Sequence, residues 1–381
     1  MMTEISLTQG GCGLADWRGQ LHQAASAGCQ ILPVGTGSTR HLLEGIFTSK
    51  VRELSTTIHS GITLYEPGEL VLSARAGTPL SLIQQQLAAE GQMLTFEPPI
   101  FAPGCTIGGC YSMGTAGPRR MYAGGFREAI LGIELMSGRG EVMKFGGRVM
   151  KNVAGFDIAR ALAGTRGAMG LVSEITLRVI ASPETEATVS MTCTADNAIL
   201  QMNHLAGTSC PLSASMWHDG RLYLRLSGSV RRVQAATTAL GGEKIEGEDS
   251  DQLWQSVNHH TMPFFGKAEP DVSLWRLSLP VTTPWRTPAG TYRSMMEWGG
   301  GVRWYWSTAP AEDVHTLARS AGGSAWLWRP GSELGKAATT PRQTVAPLPL
   351  IRLQQRLKQQ MDPDNLFFWA FAPPLTQGDT P

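Results

Sequence analysis

The sequence predicts an α+β protein built from a glycine-dense first domain, a smaller α/β domain and a C-terminal segment. Three observations carry that reading. Strand-like and helix-like patterns alternate along all 381 residues without an internal repeat. Glycines concentrate inside apolar stretches, IGGCYSMGTAGPRRMYAGG from Ile107 and KNVAGFDIARALAGTRGAMG from Lys151 to Gly170. After Pro183 and the polar run Glu184, Thr185, Glu186 that character fades and shorter elements take over, which divides the chain into 1–182, 183–332 and 333–381. Glycine at such density weakens helices and strands through its backbone entropy, so it needs a local reason such as close approach of the backbone to a ligand. Free amides in loops of this kind form anion-binding concavities suited to a pyrophosphate. A dinucleotide cofactor is therefore the first expectation.

The elements follow in order. Residues 20–27 have helical spacing and stop at Gly28, and 30–34 form a short apolar strand entering the loop Gly35, Thr36, Gly37, Ser38, Thr39. Residues 62–65 and 70–74 read as strands joined by Glu66, Pro67 and Gly68. Thr78 and Pro79 then open a helix through Ala89 that ends at Gly91. Residues 129–136 and 141–145 flank Ser137, Gly138, Arg139 and Gly140, a hairpin signature, and 171–180 alternates as a further strand. In the second part 221–226 alternates strictly, with Leu222, Leu224 and Leu226 on one face, and a helix over 229–240 ends at Gly241. Trp304 and Trp306 lie two apart, as do Trp326 and Trp328, separated by a helical segment over 310–321. Period two puts each pair on one strand face, either packed under helices, the commoner case, or open as a stacking platform for a ligand. Residues 333–348, rich in Thr, Pro and Ala, read as a connection, and a helix over 350–360 follows.

Composition narrows the function classes. A formal charge of +1 gives no general attraction to nucleic acid or anionic lipid. No apolar run is long enough for a transmembrane segment, and MMTEISLTQGG lacks the pattern of a secretory signal, so a cytoplasmic protein is expected. Six cysteines are scattered without a CxxC pair; Cys105 and Cys110 have the first gap of a plant-type iron–sulfur motif, yet no third cysteine follows at the required spacing, and no metal is expected.

The glycine pattern is not a single nucleotide turn. Residues 35–40 supply only the first two glycines of GxGxxG, with Arg40 where the third would sit against the helix, and no GK[ST] follows any glycine loop. The successive stretches 33–39, 106–109, 114–119, 151–157 and 164–174 resemble, in order, the motifs of the vanillyl-alcohol oxidase (PCMH-type) family of FAD-binding domains. The resemblance covers about the first 180 residues. The ending 357–367 is similar to that family's C-terminal LK…DP motif, with Phe368, Trp369 and Ala370 in place of its usual Asn-Pro-Gly. It implies a two-lobed PCMH-type FAD-binding domain with a smaller α/β cap and a C-terminal segment, within 333–381, that returns to the FAD domain. Within the family the chain is most similar to the small FAD-binding subunits of glycolate-oxidising complexes.

The resemblance also implies roles. Gly35, Thr36, Gly37, Ser38 and Thr39 would surround the diphosphate; Thr106, Gly108, Gly109, Ser112 and Gly114 would place hydroxyl and amide donors along the diphosphate and ribityl chain. Lys151, Asn152, Ala154 and Gly155 would lie near the flavin, where a lysine stabilises negative charge on the reduced ring, although a solvated lysine beside a turn has the same appearance. Gly170, Leu171 and Val172 would form an edge strand against the cofactor, and Asp157 either pairs with Arg160 or Arg166 or meets the cofactor. No histidine falls within 35–39, the position of covalent attachment in some relatives, so the FAD is expected to be non-covalent.

The substrate half is thinner. Oxidising a 2-hydroxy acid needs a carboxylate clamp, a base and the flavin. The HxGDGNxH motif of catalytic relatives of D-lactate dehydrogenase is absent. His259 and His260, at the end of a predicted helix, are a base or metal pair or simply a helix cap; Arg276 is a clamp candidate or the partner of a nearby carboxylate. The expectation is a subunit that takes part in oxidising a small 2-hydroxy acid inside a glycolate oxidase complex. Its partners there would be a larger catalytic FAD subunit and an iron–sulfur subunit, and the complex would bring it to the periphery of the inner membrane. The alternatives are a non-catalytic FAD-binding assembly subunit and an independent flavin oxidoreductase of the same fold.

Overall fold

A computed structural model describes residues 12–43, 50–147, 157–266, 268–332 and 342–370. The chain divides into two compact units, one of Met1–Thr115, Gly125–Ala181 and Ala346–Pro381, the other of Ala116–Gly124 and Ser182–Val345. The short stretch 116–124 goes with the second unit because its side chains and backbone bond there. The Tyr122 hydroxyl meets Ser215 Oγ at 3.1 Å, and Trp298 Nε1 donates to the Gly117 carbonyl.

In the first unit, Trp17, Leu21 and Ala24 recur at helical spacing on α1 (Cys12–Ser26), and all three are fully buried. The helix begins well before the predicted start at residue 20. It covers a two-stranded parallel sheet of β1 (Gln30–Val34) and β2 (Val51–Ser55), the latter not foreseen from its charged sequence VRELS. The five-stranded sheet contains β3 (Ile62–Glu66), β4 (Val71–Arg75), β6 (Ile130–Met136), β7 (Val142–Gly146) and β8 (Leu171–Arg178); its order is β3-β4-β8-β6-β7, every pair antiparallel. A two-residue ladder joins β5 (Gln92–Met93) to β9 (Ile180–Ala181). Between β4 and β6 run α2 (Leu80–Ala89), which buries Leu80, Ile83 and Leu87, and α3 (Ile107–Met113).

Two expectations change here. Residues 107–114, expected as cofactor-binding loops, form a helix despite their glycines, because Thr106 caps the start and Gly114 closes it at φ 64°. Strand β8, expected at an edge, lies in the middle of the sheet. Only its first residues run past β4: the Ser173 carbonyl accepts from Ala76 N, and Leu171 and Val172 pair with Met136 and Leu135 of β6 alone.

The last described helix of this unit spans Leu348–Met361, and the residues after it dock beside β1. Ile31 N donates to the Leu366 carbonyl at 2.7 Å and Phe368 N to the Ile31 carbonyl at 2.8 Å. Leu366 and Phe367 join the core of Trp17, Leu21 and Ile31. Lys358 holds the turn from beneath. Its buried ammonium donates to the Ala168 and Phe367 carbonyls and to Asp362, whose carboxylate accepts from Leu366 N and Phe367 N.

The second unit is built on an eight-stranded antiparallel sheet. Its strands are β10 (Thr185–Thr192), β11 (Leu212–His218), β12 (Arg221–Gly228), β13 (Glu243–Ile245), β14 (Ser273–Ser278), β15 (Thr291–Glu297), β16 (Val302–Ser307) and β17 (Ser324–Arg329), in the order β13-β10-β12-β11-β15-β16-β14-β17. Leu222, Leu224 and Leu226 sit together on one face, as their alternation predicts, beneath the helices Ala195–Ala206 and Val230–Leu240. Trp275, Tyr305 and Leu327 meet Val314 and Ala318 of the helix Ala311–Ser320. The four paired tryptophans occupy the opposite face, so that helix does not cover them. The stretch 260–265 meets three of them: His260 stacks on Phe265 at 4.1 Å and meets Trp304 and Trp328 edge-on, and Trp306 Nε1 donates to the Phe264 carbonyl.

Candidate functional site

The first unit holds a cleft that is partly open to solvent. Gly35, Thr36, Gly37, Ser38 and Thr39 line one side; Thr106, Gly108, Gly109 and Ser112 line another; Gly170, Leu171 and Val172 close a third. Sequence-distant glycine stretches thus meet around one space. Gly114 is not in the lining; its left-handed backbone closes α3, and a Cβ there would lie 3.1 Å from Gly164 Cα. Lys151, Asn152, Ala154 and Gly155 lie outside the described residues. Asp157 resolves to a local role: it caps the turn Ile158–Ala161 and pairs with Arg160 at 3.3 Å.

The glycines are required by contact. A Cβ on residue 35 would stand 2.6 Å from Thr106 Oγ1, and one on residue 108 would stand 2.7 Å from the Ala76 carbonyl oxygen. The loop over 35–39 therefore lies against the helix cap, and the helix against the end of β4. That second contact changes the expected chemistry of α3. Its first amides are already used: Ile107 N donates to the Thr78 carbonyl, Gly108 N to the Ala76 carbonyl, and Gly109 N to Thr106 Oγ1. They hold the helix to the sheet and leave no amide there for a ligand. The amides of 35–39, by contrast, have no acceptor among the described residues, which leaves the first loop as the amide cradle.

Among the described residues, three charged side chains line the cleft. Arg40 and Glu53 pair with each other at 2.8 Å on its exposed rim. The third, Arg166, was foreseen only as a partner for Asp157. Its residue sits in the left-handed region at φ 56°, and desolvation of the guanidinium pushes its pKa down to about 10. The sequence signal was present in GTRGAMG, a cation between two glycines of a ligand-approaching loop. Cys105 and Cys110 are buried in the lining, and burial pushes the Cys110 thiol up to about 12, so it stays protonated and bonds to Thr115. Glycines that let a ligand approach, together with the hydroxyls and amides of 35–39, fit an extended diphosphate cofactor.

The residues proposed for substrate chemistry lie in the second unit and are held by other contacts. His259 caps the helix Gly247–Asn258 through its backbone, and His260 is caged by Phe265, Trp304 and Trp328. Arg276 lies over the rings of Trp298 and Trp304 at 5.2 and 5.7 Å and donates to Ser278 Oγ. Glu297, buried beside it, accepts from Trp304 Nε1 at 2.7 Å.

Comparison with known proteins gives the same picture. Residues 15–146 match the family model described as an FAD binding domain. The glycolate oxidase subunit GlcE of Escherichia coli (strain K12) is 36% identical over 350 residues, which is 91% of this chain and 94% of that protein. The glycolate oxidase subunit GlcD of Bacillus subtilis (strain 168) is 32% identical over 103 residues, 27% of this chain and 22% of that one. An alkyldihydroxyacetonephosphate synthase structure superposes with a TM-score of 0.62 at 11% identity, covering 94% of this chain and 75% of the other, and so shares the fold. Identity of that order across nearly the whole of both chains shows that the chain belongs to the GlcE family of glycolate oxidase subunits, with an FAD-binding domain in its first unit.

Proposed function

We propose that this chain is an FAD-binding subunit of a multi-subunit glycolate oxidase, which takes part in oxidising glycolate to glyoxylate. The observation that supports it most is the cleft of the first unit, where glycine stretches from three parts of the chain meet, in a protein alike to a glycolate oxidase subunit along nearly its full length. Gly35, Thr36, Gly37, Ser38 and Thr39 would hold the diphosphate through their amides and hydroxyls, and the start of β8 would lie along the cofactor. When bound, FAD supplies the acceptor for the hydride of the 2-hydroxy acid. The absence of a histidine from 35–39 supports a non-covalent cofactor.

We assign the chain a role within a complex rather than independent turnover, with a larger catalytic FAD subunit and an iron–sulfur subunit as its partners. The HxGDGNxH motif is missing, and of the residues that could replace it His260 and Arg276 are held against aromatic rings and His259 caps a helix through its backbone. The test is the visible spectrum of the purified chain, with glycolate added anaerobically, followed by co-purification with a GlcD-type subunit. Dissociable flavin that glycolate does not bleach, together with co-purification, supports the proposal. Bleaching of the isolated chain indicates an independent oxidoreductase, and absence of flavin indicates an assembly subunit.

A further inference from the structure

A single leucine on a protein surface is ordinary, whereas a row of them along one helix forgoes the free energy of burial several times over and marks a contact face. Among the described residues ten large apolar side chains are exposed, and Leu348, Leu350 and Leu353 supply three of them within six consecutive positions. All three lie on the helix Leu348–Met361, where Leu353 is 63% and Leu348 53% exposed.

The helix cannot turn that row inward. Its buried side chains are Ile351 and Lys358, seven residues apart, and the Lys358 ammonium is bound to the Ala168 and Phe367 carbonyls. With this face fixed, a helical period of about 3.6 residues places Leu350, Leu353 and Leu357 in one row at i, i+3 and i+7. Arg352 and Arg356, both exposed, form the row beside it. The charge is one-sided. The helix sequence LPLIRLQQRLKQQM contains no Asp or Glu, and the carboxylate that follows it, Asp362, is buried against Lys358.

We propose that this face docks the larger FAD subunit of the glycolate oxidase complex, entering an apolar groove on that subunit rimmed by Asp or Glu. The inference rests on the reading of the chain as a subunit of that complex. A row at i, i+3 and i+7 has the anchor spacing with which an amphipathic helix enters a groove, and a face of basic residues without acidic ones selects an occupant that brings carboxylates. The same one-sidedness disfavours other occupants. Two copies of this chain paired through the helix would set like charges against each other. Two exposed cations, in a chain of formal charge +1, give an anionic bilayer little to hold.

The test is calorimetric titration of the full chain with a purified GlcD-type subunit at low and high salt, with sedimentation of each chain alone. Leu350→Gln combined with Leu353→Gln removes the apolar anchors at little cost in helix propensity, and Arg356→Glu reverses the charge. Leu200→Gln, on the helix Ala195–Ala206, is the control for loss of an exposed leucine elsewhere. The double variant is expected to weaken association about 10- to 100-fold. Arg356→Glu should weaken it about tenfold at low salt, with the difference shrinking at high salt, and Leu200→Gln should bind as the wild type does. Wild-type affinity in both the double variant and Arg356→Glu overturns the proposal; should the double variant not fold, Arg356→Glu decides alone by its affinity and salt dependence. A self-association of the wild-type chain that the double variant abolishes while the GlcD-type subunit still binds also overturns it, and assigns the face to a second copy. Binding to vesicles of phosphatidylethanolamine and phosphatidylglycerol that the double variant loses, again with the GlcD-type subunit still bound, overturns it in favour of a membrane. Failure of the wild-type chain to associate at all removes the reading of a complex itself, an outcome distinct from a wild type that associates and variants that associate equally.

Discussion

Glu297 carries a pH signature that a single substitution can expose. Its carboxyl is buried with Trp304 Nε1 as a donor, and burial pushes its pKa up to about 7, the indole hydrogen bond and the Arg276 charge drawing it partly back. The folded chain therefore holds this proton more tightly than the unfolded chain, and stability contributed by the protonated form is lost as pH rises from about 4.5 to about 7. The span corresponds to a contribution on the order of 3 kcal/mol. Glu297→Gln keeps an acceptor for Trp304 without the titration, so its stability should fall less than the wild type's between pH 5 and pH 8. Thermal unfolding at both pH values checks this, and parallel pH dependences would defeat it. The neighbouring Arg276 shows what a residue-level reading of sequence misses. Its apolar flanks and charge were plain, but stacking on Trp298 and Trp304 depends on the register of β14 with β16, which joins residues about thirty positions apart.

Among the elements, α3 depends most on close backbone contact. Gly108→Ala would drive a methyl group to 2.7 Å from the Ala76 carbonyl, so helix and sheet must separate, at a cost of about 1–3 kcal/mol. Chemical denaturation should show a lower midpoint and FAD titration a weaker site; an unshifted midpoint rules the contact out as a constraint. Thr106→Ala removes the helix cap and should cost about 1 kcal/mol, while Thr106→Ser should retain most of it. Local patterns made most elements legible. The alternation of 221–226, the turn at Pro67 and Gly68, and the hairpin around Gly138 and Gly140 each correspond to a strand or strand pair. Three features were not legible for physical reasons. Helix α3 is glycine-dense and forms because distant carbonyls take its first amides. Strand β2 reads as polar and is fixed by pairing with β1. The central place of β8 arises from partners up to a hundred residues away. The cleft follows the same division: its glycine loops were visible, whereas the packing of Gly167 on Pro33 and of Gly35 on Thr106 that brings them together was not.

At the scale of the molecule, ligand and chain ends both bear on stability. FAD that binds only the folded state should raise the unfolding temperature, by the equivalent of about 2.7 kcal/mol at a hundredfold excess over Kd. Calorimetry with and without the cofactor measures this, and an unshifted transition speaks against the site. Lys358→Met would leave the Asp362 carboxylate buried without its cation, a change that typically costs about 3–5 kcal/mol. Faster proteolysis between residues 358 and 368 is expected, and wild-type resistance would show the pair to be dispensable. The seating of Leu366 and Phe367 against Ile31 has a further consequence in time. Strand β1 is synthesised before the segment around Leu366 and Phe367 that completes one of its edges. The strand that leads into the loop over 35–39 must wait, half-paired, while the whole intervening chain is made, so it gains its second partner only after the Leu366 segment has emerged.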